Sequence, residues 1–291
     1  MDKPNIICVV GPTASGKTAY AIKLAKEQNG EIVSCDSMQI YKYMDIGTAK
    51  PTKEEQRKVP HHMIDFVDPN TDYSVADFVK DATEVINDIL SRGKTPVLCG
   101  GTGLYIDSVI GGIEFSEQKR DDEYRALLWN MAEEKGVDAV HDLLKEQDPQ
   151  EAEKVHPNNI KRVIRALEIC KTSGMTKTEA DRLARKEPKY NAEIIGLMPD
   201  REILYERIDR RVDIMMQQGL LQEVELLIEK SIRRDSTAMQ AIGYKELIEY
   251  IDGKCSLDEA VDKIKQESRR YAKRQLTWFR RNPDIIWINP L

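Results

Sequence analysis

A stretch of eight residues near the beginning of the sequence has the glycine spacing of a phosphate-binding loop. Gly11 to Thr18 reads GPTASGKT and matches the pattern G-x-x-x-x-G-K-[ST], between an apolar run and a helical pattern. In such a loop the backbone amides turn inward toward an anion, the lysine reaches the outer phosphates and the last hydroxyl holds Mg²⁺. A glycine turn with a surface lysine is the alternative interpretation. We expect Lys17 and Thr18 to be catalytic, Thr18 to be the metal ligand, and the phosphate contacts to come from Gly11, Pro12, Thr13, Ala14, Ser15, Gly16, Lys17 and Thr18.

A carboxylate follows the next short apolar run. Asp36 comes directly after the run Glu31 to Cys35, so it is predicted to lie at the carboxyl end of a strand beside the phosphate loop. A general base could act there, although a helix cap or an ordinary polar strand end would have the same position. The next apolar run ends at Cys99 and continues into Gly100 without an acid, whereas nucleotide-hydrolysing relatives usually hold a metal with an aspartate there. The sequence therefore disfavours an ATPase.

Two arginines lie near the apolar face of the predicted helix 201–218. At ~100° per residue, Arg211 falls inside the apolar stripe, Arg207 lies at its margin and Arg210 faces solvent. A buried guanidinium is costly without an anionic partner, so Arg211 and Arg207 are predicted to bind the phosphates, with Arg211 catalytic. The alternative partner for Arg211 is an Asp or Glu of the protein itself.

Short β-branched runs alternate with helical patterns, which is typical of an α/β protein with a parallel sheet. Together with the loop, the pattern predicts a P-loop NTPase-like parallel sheet core with an all-helical insertion. The helical patterns of the insertion lie near 121–135, 137–146 and 158–172. The predicted strands are Asn5–Val10, Glu31–Cys35, Thr95–Cys99, Ile194–Leu197 and Ile285–Ile288. The predicted domains are 1–119 for the first part of the core, 120–190 for the insertion and 191–291 for the rest of the core.

Composition excludes several classes of protein. The chain has 291 residues, of which 41% are hydrophobic and 32% are charged, and no apolar run approaches the ~20 residues of a membrane span. Five scattered cysteines without a CxxC spacing, and only four histidines, indicate neither a disulfide framework nor a zinc site. No secretory leader is recognisable, so the expected compartment is the cytosol.

The charge is distributed unevenly along the chain. Residues 263–281 contain eight basic residues and one acid, so this segment carries +7 and the rest of the chain carries −13 of the net −6. Lys265, Arg269 and Lys273 recur at four-residue spacing, as do Arg270 and Arg274, and aromatic residues lie between them. Such a helix face fits a nucleic-acid backbone. A solvated charged helix over an apolar core is the alternative.

Several longer blocks resemble the tRNA dimethylallyltransferases, and the resemblance runs nearly from end to end. In that family a dimethylallyl group passes from its pyrophosphate to N6 of the adenosine 3′ to the anticodon, position 37 of the tRNA, with Mg²⁺ assisting and pyrophosphate leaving. The blocks of 36–51 and 271–280 are specific to the family. The resembling blocks are GPTASGKT at 11–18, DSMQIYKYMDIGTAKP at 36–51, HHMIDFVDP at 61–69, GGTGLY at 100–105, QAIGYKE at 240–246 and YAKRQLTWFR at 271–280.

The resemblance implies roles for individual residues and for partners. Asp36 would be the general base, and Thr13 would contact the donor. Dimethylallyl pyrophosphate and the anticodon stem-loop of tRNA would be the partners of a monomeric enzyme that uses Mg²⁺. By the same resemblance the tRNA contacts would be Asp36, Ser37, Met38, Gln39, Thr102, Asn159, Lys161, Arg162, Arg165, Gln240, Gly243, Lys273, Arg274 and Gln275.

Three other functions remain as alternatives. A P-loop kinase of small molecules would use Asp36 to deprotonate an acceptor hydroxyl, but it would have no use for the basic helix. An adenylate isopentenyltransferase would share the chemistry and take a free nucleotide, which leaves the helical insertion without a purpose. A non-enzymatic RNA-binding module would leave the phosphate loop and Asp36 unexplained.

Overall fold

The computed structural model describes residues 3–115 and 120–290, and a six-stranded sheet forms its centre. Every pairing between the described strands is parallel, and the strand order is β3-β2-β4-β1-β5-β6. The predicted α/β class with a parallel P-loop-like sheet is confirmed. The strands are β1 (Asn5–Val10), β2 (Gly30–Ser34), β3 (His61–His62), β4 (Thr95–Gly100), β5 (Asn191–Leu197) and β6 (Ile286–Ile288). Strand β3 is not among the predicted strands, because two residues are too short for a periodic pattern.

Helices connect and cover the strands. The helix predicted over 239–251 begins only at Tyr244, because Gly243 has φ 99°, a left-handed conformation, and residues 238–240 form a separate 3₁₀ turn. No helix among the described residues has the length and apolar character that a membrane span requires. The α-helices are α1 (Lys17–Glu27), α2 (Lys53–Lys58), α3 (Val75–Ser91), α4 (Gly103–Ile110), α5 (Asp122–Lys135), α6 (Val137–Gln147), α7 (Pro149–Lys154), α8 (Ile160–Ser173), α9 (Lys177–Ala184), α10 (Arg201–Gln217), α11 (Leu220–Glu229), α12 (Tyr244–Ile251) and α13 (Leu257–Phe279).

Both faces of the sheet are buried, as the apolar runs predict for parallel strands. Alternate residues of β1 enter different cores: Val10 lies in the cluster that contains Phe78 of α3, and Val9 lies in the cluster that contains Ala21 of α1. A third core joins α11, α12 and α13 to the segment after β2, where Ile40 and Tyr41 are buried.

The contacts divide the chain into two compact units, one of residues 1–110 with 188–291 and one of residues 111–187. The second unit contains α5 to α9 around a core of its own that includes Leu128, Leu144 and Leu167. An antiparallel bridge between Ile113 and Arg185 joins its two ends. The boundary predicted at 119/120 falls at residues 116–119, which lie outside the described residues, and the second unit ends at 187 where the sequence suggested 190. Helices α7 and α9 are too short to be distinguished by periodicity alone.

Candidate active site

The loop between β1 and α1 has a backbone that only small residues allow. Gly11 has φ 145°, and a Cβ there would lie 2.5 Å from the carbonyl oxygen of Leu197. Gly16 has φ 90° and caps α1 in a left-handed conformation. Ser15 Oγ is buried and has no hydrogen-bond partner in the part of the chain that the structure describes. The loop therefore places the unpartnered Ser15 hydroxyl close to the N-terminus of α1, where an anion is favoured.

Lys17 supplies a cation to the same loop. Its Nζ donates to the carbonyl oxygen of Pro12 at 2.6 Å. The pKa of Lys17 is lowered to about 8, mainly by burial and partly by nearby Arg211, while Cys99 and Asp36 act in the opposite direction. Since no carboxylate forms an ion pair with Lys17 among the described residues, its charge is available for an anionic ligand.

Asp36 follows β2 and faces the cavity above the loop. Its Oδ1 accepts from the backbone N–H groups of Met38 at 2.9 Å and Gln39 at 3.3 Å. The helix-cap alternative is wrong, because residues 37–40 form a turn and no helix begins there, and one carboxylate oxygen caps this turn. Both bonds involve Oδ1, and Oδ2 accepts none from the described residues, so it is available as a proton acceptor.

Arg211 is half-buried on α10 and forms no ion pair with a residue in 3–115 or 120–290. Burial lowers the pKa of its guanidinium, and the charges of Asp36 and Glu55 partly oppose this effect. The alternative of an internal salt bridge is wrong for the described residues. A half-buried arginine without an ionic partner marks a place for an anion from outside the protein.

One cavity of about 390 Å³, which we call the inner cavity, joins these groups. Apolar side chains of α10 and α13, among them Ile208 and Ile264, form part of its wall, so it combines cations and an acid with an apolar surface. The predicted site residues that line it are Thr13, Lys17, Thr18, Asp36, Ser37, Met38, Gln39, Arg211, Gln240, Gly243, Arg274 and Gln275.

A second cavity, of about 750 Å³, borders the phosphate loop at Ala14, Gly16 and Thr18, and we call it the outer cavity. Thr18 and Arg211 line both cavities, so the two adjoin at the loop. Arg207 and Arg210 are exposed and line the outer cavity only. The helical periodicity correctly predicts that Arg210 is exposed. Its side chain nevertheless borders the outer cavity, because α10 runs along the edge of that cavity.

Gln275 of α13 connects the phosphate loop to the loop after β4. Its Oε1 accepts from the Thr13 N–H at 2.8 Å, and its Nε2 donates to the Gly101 carbonyl oxygen at 3.0 Å. A Cβ on Gly101 would lie 2.1 Å from that nitrogen, so a larger residue there would displace the Gln275 amide. Thr102 Oγ1 accepts from the Ser37 N–H at 3.0 Å. In this state Gln275 and Thr102 hold the cavity walls together.

Comparison with known proteins identifies the family. Residues 39–282 match the family model described as IPP transferase. The chain belongs to the IPP transferase family. Residues 4–68 also match the model described as Isopentenyl transferase. The resemblance that the sequence blocks indicated is therefore confirmed, and so is the prediction that the protein is an enzyme.

The similar proteins cover almost the whole chain. A tRNA dimethylallyltransferase of Acetivibrio thermocellus is 51% identical over 286 residues, which is 98% of this chain and 91% of the relative. The relative of the same name in Bacillus subtilis (strain 168) is 51% identical over 287 residues, which is 99% of this chain and 91% of the relative's length. The solved structure of the tRNA isopentenylpyrophosphate transferase of Bacillus halodurans has a TM-score of 0.74 at 48% identity. The match covers 99% of this chain and 90% of the solved chain. A eukaryotic dimethylallyltransferase acting on tRNA has a TM-score of 0.79 at 30% identity, covering 99% of this chain and 74% of its own.

The basic face of α13 is partly neutralised within the fold. Four of its cations form ion pairs with acids: Lys263 with Glu249, Lys265 with Asp213, Arg269 with Asp209, and Arg270 with Glu267. Three of these acids lie on α10 and α12, so the spacing along α13 could not reveal them. Lys273 and Arg274 are exposed and form no ion pair with the described residues. The part of the basic face without ion pairs is therefore shorter than predicted, and it lies at Lys273 and Arg274 near the C-terminal end of α13.

In the helical unit the four predicted tRNA contacts Asn159, Lys161, Arg162 and Arg165 lie at the start of α8. Lys161 and Arg162 are exposed, and Asn159 precedes the first turn. Arg165 Nη1 donates to Glu168, a carboxylate that is fully buried in this unit. The ion pair gives Arg165 a structural role in addition to the predicted tRNA contact.

His61 and Tyr271 are polar cavity residues that the sequence analysis did not single out. His61 lines the inner cavity, where its Nδ1 lies 2.8 Å from the Val59 carbonyl oxygen and its Nε2 is buried without a partner among the described residues. Burial also raises the pKa of Tyr271 to about 12, so this hydroxyl stays protonated in the cavity wall. Both residues lie in the resembling blocks, but nothing in their spacing distinguishes them from core residues.

Proposed function

We propose that this enzyme transfers a dimethylallyl group from dimethylallyl pyrophosphate to N6 of adenosine 37 in tRNA, with Asp36 as general base and the phosphate loop as the pyrophosphate site. The observation that carries the proposal is the inner cavity, in which Arg211 without an ionic partner, Lys17 and the Asp36 carboxylate face one space. The curated relatives are named for the same reaction class.

The phosphate side of the cavity suits the leaving group. As the allylic C–O bond breaks, its electron pair leaves with the pyrophosphate, and negative charge grows on those oxygens. Lys17, Arg211 and the N–H groups of the loop supply positive charge and hydrogen-bond donors at this place. The apolar wall that includes Ile208 and Ile264 fits the hydrocarbon tail of the donor.

The acid side of the cavity suits the nucleophile. An exocyclic adenine amine must lose one proton as its nitrogen forms the new C–N bond, and Asp36 Oδ2 is the carboxylate oxygen available to accept it. The target base has to leave its stack to reach a cavity of this kind, as in other enzymes that modify bases. Gln240 and Gly243 line the same cavity.

Mg²⁺ fits a site of this composition when the donor is bound. The described residues contain no group of three or more His, Cys, Asp or Glu side chains that could hold a metal ion by themselves. Mg²⁺ commonly binds through one or two protein oxygens and the substrate phosphates, and it neutralises their charge. Thr18 lines both cavities, and its hydroxyl would hold the Mg²⁺ ion.

The kinase alternative lacks a feature that it would need. Strand β4 passes from Cys99 into Gly100 and Gly101, so no carboxylate follows the strand at the place where a nucleotide-hydrolysing P-loop enzyme holds its metal. A free adenylate would not explain the exposed cations Lys273 and Arg274.

The direct test is mass spectrometry of nucleosides after incubation of the protein with unmodified tRNA, Mg²⁺ and dimethylallyl pyrophosphate. We expect one dimethylallyl group on the adenosine 3′ to the anticodon, and no product when ATP replaces the donor. Phosphate release from ATP that is stimulated by tRNA, without prenylated adenosine, would overturn the proposal in favour of a P-loop kinase or ATPase.

The affinity for the donor should fall as the pH rises above about 8. The pKa of Lys17 is about 8 in the free protein, and the cation binds the pyrophosphate, so binding above this pH requires proton uptake. Calorimetry between about pH 7 and 9.5 should show a Kd that is flat at first and then rises up to about tenfold per pH unit. The variant Lys17→Arg, whose side chain keeps its charge, should bind with a flat profile. An equally steep rise in that variant would assign the titration to another group.

The tRNA affinity should depend on Lys273 and Arg274 through their phosphate contacts. Each change to alanine is expected to reduce the slope of log Kd against log salt by about one counterion. Lys265→Ala and Arg269→Ala serve as matched controls on α13, because their cations are already paired with Asp213 and Asp209. Fluorescence titrations at four salt concentrations measure the slopes. Equal slopes for all four variants would exclude this part of α13 from the tRNA interface.

A further inference from the structure

The Glu223 carboxylate of α11 makes four hydrogen bonds with residues far from it in sequence. Its Oε2 accepts from the backbone N–H groups of Asp45 at 2.8 Å and Ile46 at 2.8 Å. Its Oε1 accepts from the Gly47 N–H at 3.0 Å and from the Tyr244 hydroxyl at 2.6 Å. One carboxylate therefore fixes three successive amides of a loop and the first residue of α12.

The loop that Glu223 holds also carries the general base. We call residues 36–51, between β2 and α2, the 36–51 loop. Its two halves are joined by Gln39, whose Nε2 donates to the carbonyl oxygens of Thr48 and Ala49 at 3.2 Å each. Thr48 and Ala49 line the inner cavity together with Asp36. A displacement of the amides at 45–47 is therefore passed to the residues beside Asp36.

Shape and charge make this connection specific. A Cβ on Gly47 would lie 2.5 Å from the Tyr244 ring, so the ring closes directly over that glycine. Burial and the adjacent Glu223 carboxylate raise the pKa of Tyr244 well above its usual value, which keeps the hydroxyl protonated as a donor. Glu223 forms no ion pair with a cation of the described residues, so the connection depends on the positions of its two acceptor oxygens.

Glu223 joins two walls of the inner cavity. The 36–51 loop supplies the wall with Asp36, and Tyr244 directly follows Gly243, which lies in the wall where Gln240 is found. Glu223 itself lines neither cavity. Its effect on substrates must therefore be indirect.

We infer that Glu223 is a positioning residue for the transfer reaction, which sets the place of Asp36 relative to the wall that receives the acceptor nucleoside. The inference rests on the proposed function. Glu223 makes no hydrogen bond with the phosphate loop or with Arg211, which lie on other elements, so we expect donor binding to be retained without it. Loss of the connection is expected to slow proton transfer and attack while the donor site remains intact.

The test is the variant Glu223→Gln, in which one acceptor oxygen becomes an NH₂ group that cannot accept a backbone N–H. With enzyme in excess over dimethylallyl pyrophosphate and tRNA saturating, we expect the single-turnover rate to fall about tenfold, because misplaced reacting groups lose effective concentration. Tyr244→Phe removes one of the four bonds and should lower the rate about threefold. The Kd for the donor should stay within about twofold in both variants.

Matched controls separate positioning from folding and from charge. Glu225→Gln removes the same charge from an exposed site on the same helix and should leave the rate unchanged. Gly47→Ala displaces the same amides from the loop side and should reproduce the loss. The double variant of Glu223→Gln with Tyr244→Phe should be slower by less than the product of the single effects, since both act on one network.

The alternative outcomes are distinguishable. If donor-binding stoichiometry in Glu223→Gln falls in proportion to its activity, the residue only supports folding and the inference is overturned. If the wild-type protein prenylates tRNA and Glu223→Gln does so at the wild-type single-turnover rate, the positioning role is wrong while the proposed function stands. If the wild-type protein transfers no group, the proposed function fails first.

Discussion

Replacing Asp36 with asparagine is expected to lower the single-turnover rate of transfer by ~10²-fold or more, with the affinities for tRNA and donor changed only a few-fold. Asparagine keeps an oxygen that can accept from the N–H groups of Met38 and Gln39, so the turn after β2 is retained. What the variant loses is the oxygen that accepts the proton of the attacking amine. The rate is measured with enzyme in excess over the donor, and the affinities by calorimetry and by fluorescence titration.

Asp36→Ala provides the comparison, because it removes both the base and the turn contacts. If Asp36 acts mainly as a base, the two variants should have similarly low rates, and only the alanine variant should also lose affinity for tRNA. Equal losses of tRNA affinity and of rate in Asp36→Asn would instead make Asp36 a recognition residue. The turn contacts of Oδ1 show why alanine alone cannot decide this question.

The placement of Lys17, Arg211 and Asp36 around the inner cavity could be predicted from the sequence because it depends on local rules. The P-loop pattern fixes the backbone shape and places Lys17 at the N-terminus of α1 within a few residues. The helical wheel placed Arg211 correctly, since α10 is regular from Arg201 to Gln217 and one face is buried. Asp36 followed from the rule that parallel strands end at one edge.

The contacts that assemble the walls could not be predicted, because they join residues distant in sequence. Gln275 reaches the Thr13 amide across 262 positions, and Glu223 reaches the amide of Asp45 across 178. Neither residue belongs to a pattern that periodicity can detect. The same limit applies to the basic face of α13. Residues 263–281 carry a net charge of +7, but the sequence does not show that Lys265 and Arg269 form ion pairs with acids of α10.

Removing the guanidinium of Arg211 is expected to lower kcat/KM for dimethylallyl pyrophosphate by ~10²-fold, and Lys17→Ala should have an effect of similar size. Negative charge on the pyrophosphate is greater in the transition state than in the bound donor. The loss in kcat/KM should therefore exceed the loss of affinity for dimethylallyl pyrophosphate, measured by calorimetry. Arg210→Ala should remain within about threefold of wild type, because its exposed side chain borders only the outer cavity.

The stability of the Arg211→Ala variant provides an independent measurement. Breaking a buried ion pair usually destabilises a protein by about 3–5 kcal/mol, because the partner charge is left behind. Arg211 has no ionic partner among the described residues, and burial already opposes its charge. The midpoint of thermal unfolding without ligand should therefore be unchanged or higher in Arg211→Ala, while inorganic pyrophosphate should raise it less than in wild type. Arg201→Ala, on the same helix and outside both cavities, controls for loss of a surface cation. A lower midpoint in Arg211→Ala, together with an unchanged rate, would assign Arg211 to the fold and leave the pyrophosphate to Lys17 and the loop amides.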